Sequence, residues 1–146
     1  MESSPVRVLV VANRTAATDS LLDAVRRRAA ESPAQFSLLV PIAGGSLQRL
    51  LDPDDIPDTE AAAVLATALP LLSDAAGGPV DGIIGVPEPL AAIQDAVNLG
   101  HYDEIILSTL DHRLSRWLKL DLPSKVRGLG LPVTTVTAGE RAPAHA

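Results

Sequence analysis

The residues placed to form a ligand site, some with polar side chains and some offering only backbone, lie in short segments that directly follow apolar runs. Four such segments stand out, at residues 13–15, 41–42, 85–87 and 108–113. Each of the preceding runs is typical of a buried strand, and open parallel sheets bind ligands at the carboxyl ends of their strands, where the winding direction reverses. The sequence therefore predicts one functional crevice, at the ends of the first and fourth strands.

Recognisable catalytic and metal-binding patterns are missing from the sequence. His101, His112 and His145 share no ligand spacing, so structural or solvated roles are favoured, and only His112 falls in a crevice segment. The aspartates at 52, 54 and 55 are interrupted by Pro53 and lack the pattern of a calcium loop, which favours a solvated acidic loop. Without a nucleophile–base pair, an enzyme is the least supported class, and no catalytic or metal-ligating residue is predicted.

The glycine motifs of the common nucleotide-binding folds are missing as well. No Walker A sequence follows a predicted strand. Gly128-Leu129-Gly130 precedes the last strand instead of following the first, so a helix stop and a turn explain these glycines better than a dinucleotide site.

Residues 113–119 form a basic amphipathic segment. One side carries Arg113, Arg116 and Lys119, and the other carries Leu114, Trp117 and Leu118. Two roles fit: a basic lid over a bound anion, or a segment that packs its apolar side on the sheet while its cations face water or pair with Asp111 and Asp121. The second role is favoured, with Trp117 in the core, because long cationic side chains commonly flank apolar packing.

Alternating strand and helix patterns must position these segments. The predicted strands are 6–12, 36–41, 80–86, 103–109 and 132–137. The predicted helices begin at Thr18 or Asp19, span 58–76, begin near Pro87, and form two short pieces between 111 and 130, while 44–59 is expected to be a surface excursion. Strands joined by helical crossovers predict an α/β fold with a parallel, doubly wound sheet.

Composition narrows the possible functions. The chain has 146 residues, a formal charge of −6, 2% aromatic residues and no cysteine, which argues against base stacking in a basic groove and excludes disulfides and thiolate metal sites. The first residues lack a basic segment, and the apolar run 8–12 is too short for a signal peptide or a membrane span. We expect one cytoplasmic domain over 1–137, a disordered tail over 138–146, and no nucleic-acid or membrane partner.

The order of these motifs resembles the universal stress protein family over roughly Val6 to Val136. The resemblance rests on a first strand that ends in a polar loop, on Gly85-Val86-Pro87 before a helix, and on the strand Asp103–Ser108 followed by a basic loop. It implies a five-stranded Rossmann-like sheet of the adenine nucleotide alpha hydrolase type, in the order 3-2-1-4-5. It also implies a homodimer through the last strand, from Val133 to Thr137.

In nucleotide-binding members of that family, an aspartate after the first strand, backbone after the second and a glycine motif after the fourth hold ATP. In this chain Asn13 stands at the aspartate position, Ser108 and Asp111 replace the first two glycines, and Asp121 falls at or near the third. Side chains there restrict the backbone and keep its N–H groups from phosphate oxygens, and Asp121 is predicted to cap the last helix in place of a phosphate. The candidate nucleotide- or anion-binding residues implied are Ala12, Asn13, Thr15, Val40, Pro41, Gly85, Ser108, Thr109, His112, Arg113 and Arg116.

Two functions stay open at this point. The first is a non-catalytic, universal-stress-protein-like regulatory domain that binds an adenine nucleotide or another small anion at most weakly, with ATP and AMP as candidate ligands despite the degenerate motif. The alternative is a ligand-free dimeric interaction module that has lost nucleotide binding.

Overall fold

A computed structural model gives the fold, and it describes residues 5–12, 15–41, 58–85, 88–110, 116–119 and 121–138, with the side chains of 58–60, 116 and 119 excepted. Five strands form the sheet: β1 (Val6–Val11), β2 (Ala34–Pro41), β3 (Val80–Gly85), β4 (Glu104–Thr109) and β5 (Val133–Thr137). Within the described residues, five helices connect or flank them: α1 (Asp19–Glu31), α2 (Asp58–Ala76), α3 (Pro89–Gly100), α4 (Arg116–Lys119) and α5 (Leu122–Arg127).

The sheet is entirely parallel and has the strand order β3-β2-β1-β4-β5, as predicted. β1 lies at its centre because its run Val-Arg-Val-Leu-Val-Val has apolar residues for both faces, and its last four residues are buried. The chain builds outwards from β1 to β3, then returns to place β4 on the other side of β1. The winding direction therefore reverses between β1 and β4.

Each face of the sheet has its own apolar core. On one face, Val8 and Val10 of β1 pack with Leu21 and Val25 of α1 and with Leu72 of α2. On the other face, alternate residues of the same strands meet α3, α4 and α5; this second cluster includes Leu9, Val11, Ile93, Leu107, Trp117 and Val126. The two helical layers cover the faces of the sheet, and the carboxyl ends of the strands form one of its uncovered edges.

Local hydrogen bonds explain the helix boundaries. Of the two predicted caps for α1, Thr18 and Asp19, the structure has Thr18, whose side chain accepts a hydrogen bond from the N–H of Leu21. α3 begins at Pro89, two residues later than the predicted start at Pro87, because Glu88 caps it with a carboxylate that accepts the N–H of Ala91 at 2.6 Å. The two short helical pieces near the end of the chain are α4 and α5, with the break at Lys119–Leu122.

Some predictions fall outside the described residues, namely the surface excursion before α2, most of the tail and the end of the third strand at Val86. Among the helices that the structure describes, none has the length and apolar character needed to cross a membrane.

Candidate functional site

The candidate site is the carboxyl edge of the sheet around β1 and β4, where the topology reverses. Two groups of predicted residues lie along this edge. Thr15, Ser108 and Thr109 belong to the β1–β4 side, whereas Pro41 pairs with Gly85 on the β2–β3 side. Because β1 lies between β2 and β4, the two groups are separated by two strand spacings, or about 10 Å.

A hydrogen bond joins the two sides of the reversal point. Thr15 Oγ1 and Ser108 Oγ are 2.6 Å apart, and the residues are only 3% and 1% exposed. Either hydroxyl can be the donor, but one bond uses only one of the two protons. Because both side chains are buried, this bond engages one hydroxyl as the donor and the other as the acceptor within the protein.

The loop between β1 and α1 is fixed by further bonds to Thr15. Its carbonyl oxygen accepts the N–H of Thr18 at 3.1 Å and the hydroxyl of Thr18 at 2.9 Å. Thr18 in turn caps α1. The start of α1, the loop and the end of β4 are thus held as one connected unit through Thr15 and Ser108.

Two more buried hydroxyls lie at the same edge of the sheet, on β4 and β5, but on the face opposite to Ser108, because successive residues of a strand point to opposite faces. Thr109 pairs with Thr137 in the sheet register, and both are buried. Thr109 Oγ1 donates to the carbonyl oxygen of Leu110, and the carbonyl oxygen of Thr109 accepts the N–H of Ala138 at 2.8 Å. Thr137 was not among the predicted site residues. Its pairing depends on the β4–β5 register, which the local sequence does not specify.

The β1–β2 side of the site is apolar and closed at its base. Ala12 and Val40 are fully buried, and the N–H of Ala12 donates to the carbonyl oxygen of Leu39 at 3.1 Å. Pro41 ends β2 and has no N–H, so it leaves only backbone oxygen at this point. This side offers apolar contact and carbonyl acceptors.

Gly85 is required by close packing between β3 and α3. A Cβ placed there would lie 2.8 Å from Cβ of Ala92 and 2.9 Å from Cδ1 of Leu39. The glycine therefore lets the start of α3 approach the sheet, whatever further contact it makes.

Asp121 occupies the N-cap position of α5, but the predicted role of its carboxylate is wrong. The side chain makes no capping hydrogen bond, and the backbone is left-handed, with φ 58° and ψ 41°. Pro123 explains part of this, because it removes one of the two N–H groups that a cap residue normally serves. Asp121 therefore keeps the backbone conformation that glycine favours while its carboxylate stays exposed.

The remaining predicted site residues divide into two sets. Asn13, Asp111, His112 and Arg113 lie outside the described residues, as does the side chain of Arg116. Trp117 is buried in the second apolar cluster, which confirms the prediction that it is a core residue. In the part of the chain that the structure describes, no group of three or more His, Cys, Asp or Glu residues is arranged to hold a metal ion.

An open parallel sheet whose winding direction reverses between β1 and β4 defines a Rossmann-like α/β protein. A universal stress protein from Archaeoglobus fulgidus has a similar structure, with a TM-score of 0.62 and 18% identity over 90% of this chain and 93% of that one. A universal stress protein in complex with cAMP has a TM-score of 0.59 and 20% identity over 93% of this chain and 100% of that one. The Archaeoglobus fulgidus protein in complex with dAMP has a TM-score of 0.57 and 18% identity, covering 91% of this chain and 98% of that one.

No protein-family model and no curated protein sequence matches the chain. The structural likeness extends over nearly the whole chain, and it agrees with the strand order implied by the sequence motifs. The chain therefore has the fold of the universal stress proteins.

Proposed function

We propose that the chain is a non-catalytic regulatory domain of the universal stress protein type, which binds an adenine nucleotide or a small anion weakly in the crevice between β1 and β4. The observation that carries the proposal is the buried Thr15–Ser108 hydroxyl pair at the topological reversal point. Two proteins of the same fold form complexes with cAMP and dAMP, which supports an adenine monophosphate as the ligand class.

Weak binding follows from the chemistry of the crevice floor. Ser108 and Thr109 are 1% and 0% exposed, and the described hydrogen bonds engage both hydroxyls within the protein. Phosphate sites usually gather several backbone N–H groups on one anion, which needs an open glycine-rich backbone. A floor of neutral hydroxyls supplies a few donors at most, so a monophosphate or cyclic phosphate suits it better than a triphosphate.

The alternative is an interaction module with no nucleotide. The same hydroxyl pair supports it, because Thr15 and Ser108 satisfy each other without a ligand. β5 pairs only with β4 among the described strands, and its Thr134 and Thr135 are exposed. We propose this strand, Val133–Thr137, as the homodimer contact in either case, because its outer edge has backbone groups free to pair with a second copy.

A thermal titration distinguishes the two functions. The protein is unfolded by heat in the presence of increasing AMP, cAMP, ATP or inorganic phosphate, since a ligand at a hundredfold excess over its Kd adds about 2.7 kcal/mol of stability. The regulatory-domain proposal predicts a saturable rise in Tm with AMP or cAMP, and no larger rise with ATP. The absence of any rise, with a dimer present in sedimentation, would favour the interaction module.

Two variants make the titration specific to the crevice. Ser108→Ala removes a buried crevice hydroxyl, so it should reduce the response to AMP. Thr67→Ala removes an exposed hydroxyl on α2, away from the crevice and from β5, and should leave the response unchanged. Equal responses in both variants would contradict binding at Ser108.

A further inference from the structure

An apolar groove lies between β3 and α3, on the second face of the sheet. It has a volume of about 270 Å³, and its lining includes Ile83, Ile84, Ala92, Asp95, Ala96 and Leu99. Ligand pockets usually enclose roughly 300–1,000 Å³, so this groove fits one or two side chains better than a cofactor. We call it the β3–α3 groove.

The groove follows the helical repeat of α3. Ala92, Asp95, Ala96 and Leu99 are spaced at i, i+3, i+4 and i+7, so they form one stripe along the helix. α3 contacts β2, β3 and α5. In the described part of this face, α3 is therefore the last helix of the layer towards the β3 edge of the sheet. The small side chains of Ala92 and Ala96 leave space between α3 and β3.

One apolar side chain at the rim is unusually exposed for its size. Leu99 is 84% exposed and lines the groove beside Ile83, Ala92 and Ala96. A single exposed apolar residue is ordinary on a protein surface, but one that continues a concave apolar surface enlarges an apolar patch, and such patches mark interaction sites.

Two carboxylates flank the groove on β3 and α3, while the guanidinium of Arg7 lies 5.0 Å from the ring of Tyr102, which also lines the groove. Asp95 belongs to the α3 stripe, and Asp81 lies on the same face of β3 as Ile83, two residues away. Both carboxylates belong to exposed residues. The sequences of β3 and α3 contain no lysine or arginine, so neither carboxylate has a cation within its own element.

We propose that the β3–α3 groove binds a basic amphipathic helix of a partner protein. An aliphatic or aromatic side chain of that helix enters the groove beside Leu99, and its lysine or arginine residues face Asp81 and Asp95. A helix fits because it continues the layer that ends at α3, with apolar anchors at i, i+3 or i+4 and i+7. A second copy of the chain fits less well, because an antiparallel α3–α3 contact would bring the two Asp95 carboxylates together.

The groove is separate from the proposed dimer contact and from the crevice hydroxyls. β3 and β5 are at opposite edges of the sheet. A partner can therefore occupy the groove while β5 pairs with a second copy.

The test uses the full chain and two synthetic peptides of equal length and helix content. Both have the same apolar stripe, but one has lysines and the other glutamates at the flanking positions. Binding is followed by NMR through the methyl groups of Ile83 and Leu99. The proposal predicts saturable shifts at these methyls with the lysine peptide, and at least tenfold weaker binding of the glutamate peptide.

Matched variants separate groove binding from general attraction to an acidic protein. Leu99→Ser should weaken binding of the lysine peptide at least tenfold. Leu71→Ser, at an exposed leucine of α2, should leave this binding unchanged. Asp95→Asn should weaken binding more than Asp74→Asn, although the two change the net charge equally.

Four results would overturn the proposal. They are equal binding of the two peptides, shifts spread over the whole surface, concentration-dependent Leu99 shifts in the protein alone, and nuclear Overhauser contacts from the leucines at 47, 50 or 51 to Leu99. The third would assign the groove to a second copy, and the fourth to the chain's own segment between β2 and α2.

Discussion

Thr15 and Ser108, 93 positions apart in the sequence, are joined by a buried 2.6 Å hydrogen bond between their hydroxyl oxygens. The bond links the loop after β1 to the end of β4, where the sheet reverses its winding. The crevice in which we propose ligand binding is thus stabilised by the protein's own side chains. This relationship underlies the expected weak binding and the first prediction.

Removing either hydroxyl of this pair should destabilise the protein, and removing both should cost less than the sum of the two single losses. Thr15→Val keeps the side-chain shape but leaves Ser108 buried without its partner, so the free energy of unfolding should fall by about 1–3 kcal/mol. Ser108→Ala should have a similar cost, and the double variant should cost less than the sum, with a coupling of about 1 kcal/mol. Urea unfolding of the four proteins measures this, and strict additivity would contradict a direct bond.

Asp121 should respond to substitution as a left-handed residue and not as a capping carboxylate. Asp121→Asn should leave the free energy of unfolding nearly unchanged, because the carboxylate accepts no hydrogen bond from α5. Asp121→Gly should be more stable than Asp121→Ala by about 1 kcal/mol, because φ 58° is strained for alanine. Denaturant unfolding of the three variants measures these free energies. A marked loss of stability in Asp121→Asn would show that the carboxylate does cap α5.

The two ion pairs in the described residues should differ in strength. Arg28 and Glu104 are 2.9 Å apart with side chains 12% and 22% exposed, whereas the Arg26–Asp23 pair is 59% and 57% exposed. Glu104→Gln leaves Arg28 in a partly buried site, so we expect a loss of about 1–2 kcal/mol. Asp23→Asn should cost less than about 0.5 kcal/mol. Thermal unfolding measures both, and equal losses would contradict the difference in burial.

Gly85 should not tolerate a methyl group. In Gly85→Ala the new Cβ meets Ala92 and Leu39 at under 3 Å, so β3 and α3 must separate at a cost of about 1–3 kcal/mol. Gly78→Ala is the control, because no atom lies within 4 Å of its Cβ position. If Gly85→Ala leaves the free energy of unfolding unchanged, the start of α3 is not packed closely against the sheet.

Much of the fold could be predicted because its signals are local. The elements are indicated by the apolar runs of β1 and β4, the helical stripe of α2 and the glycines at 77–78, which mark its end. Strands connected by helical crossovers must then be parallel. The order of the strands came from the family resemblance and is confirmed by the structure.

The site was harder to predict because its contacts are not local. Sequence analysis placed Thr15 and Ser108 in one crevice, but their bond depends on where the loop after β1 crosses β4. Asp121 was correctly placed at a helix start, yet its backbone is left-handed and its side chain makes no capping bond, which its position before Leu122-Pro123 does not reveal. The β3–α3 groove was not predicted, because it arises from small residues on two elements that meet only in the folded chain.

The most direct test of weak adenine-nucleotide binding in the crevice is an NMR titration of the full chain with AMP, following the amides of Thr15, Ser108 and Thr109. The account predicts saturable shifts at these three amides with a Kd near 1 mM, about −4.1 kcal/mol, and no tighter binding of ATP. Micromolar ATP binding at these residues would contradict the proposal that the crevice lacks the backbone N–H groups needed to bind a triphosphate. Unchanged amides at saturating AMP would contradict the crevice as a nucleotide site.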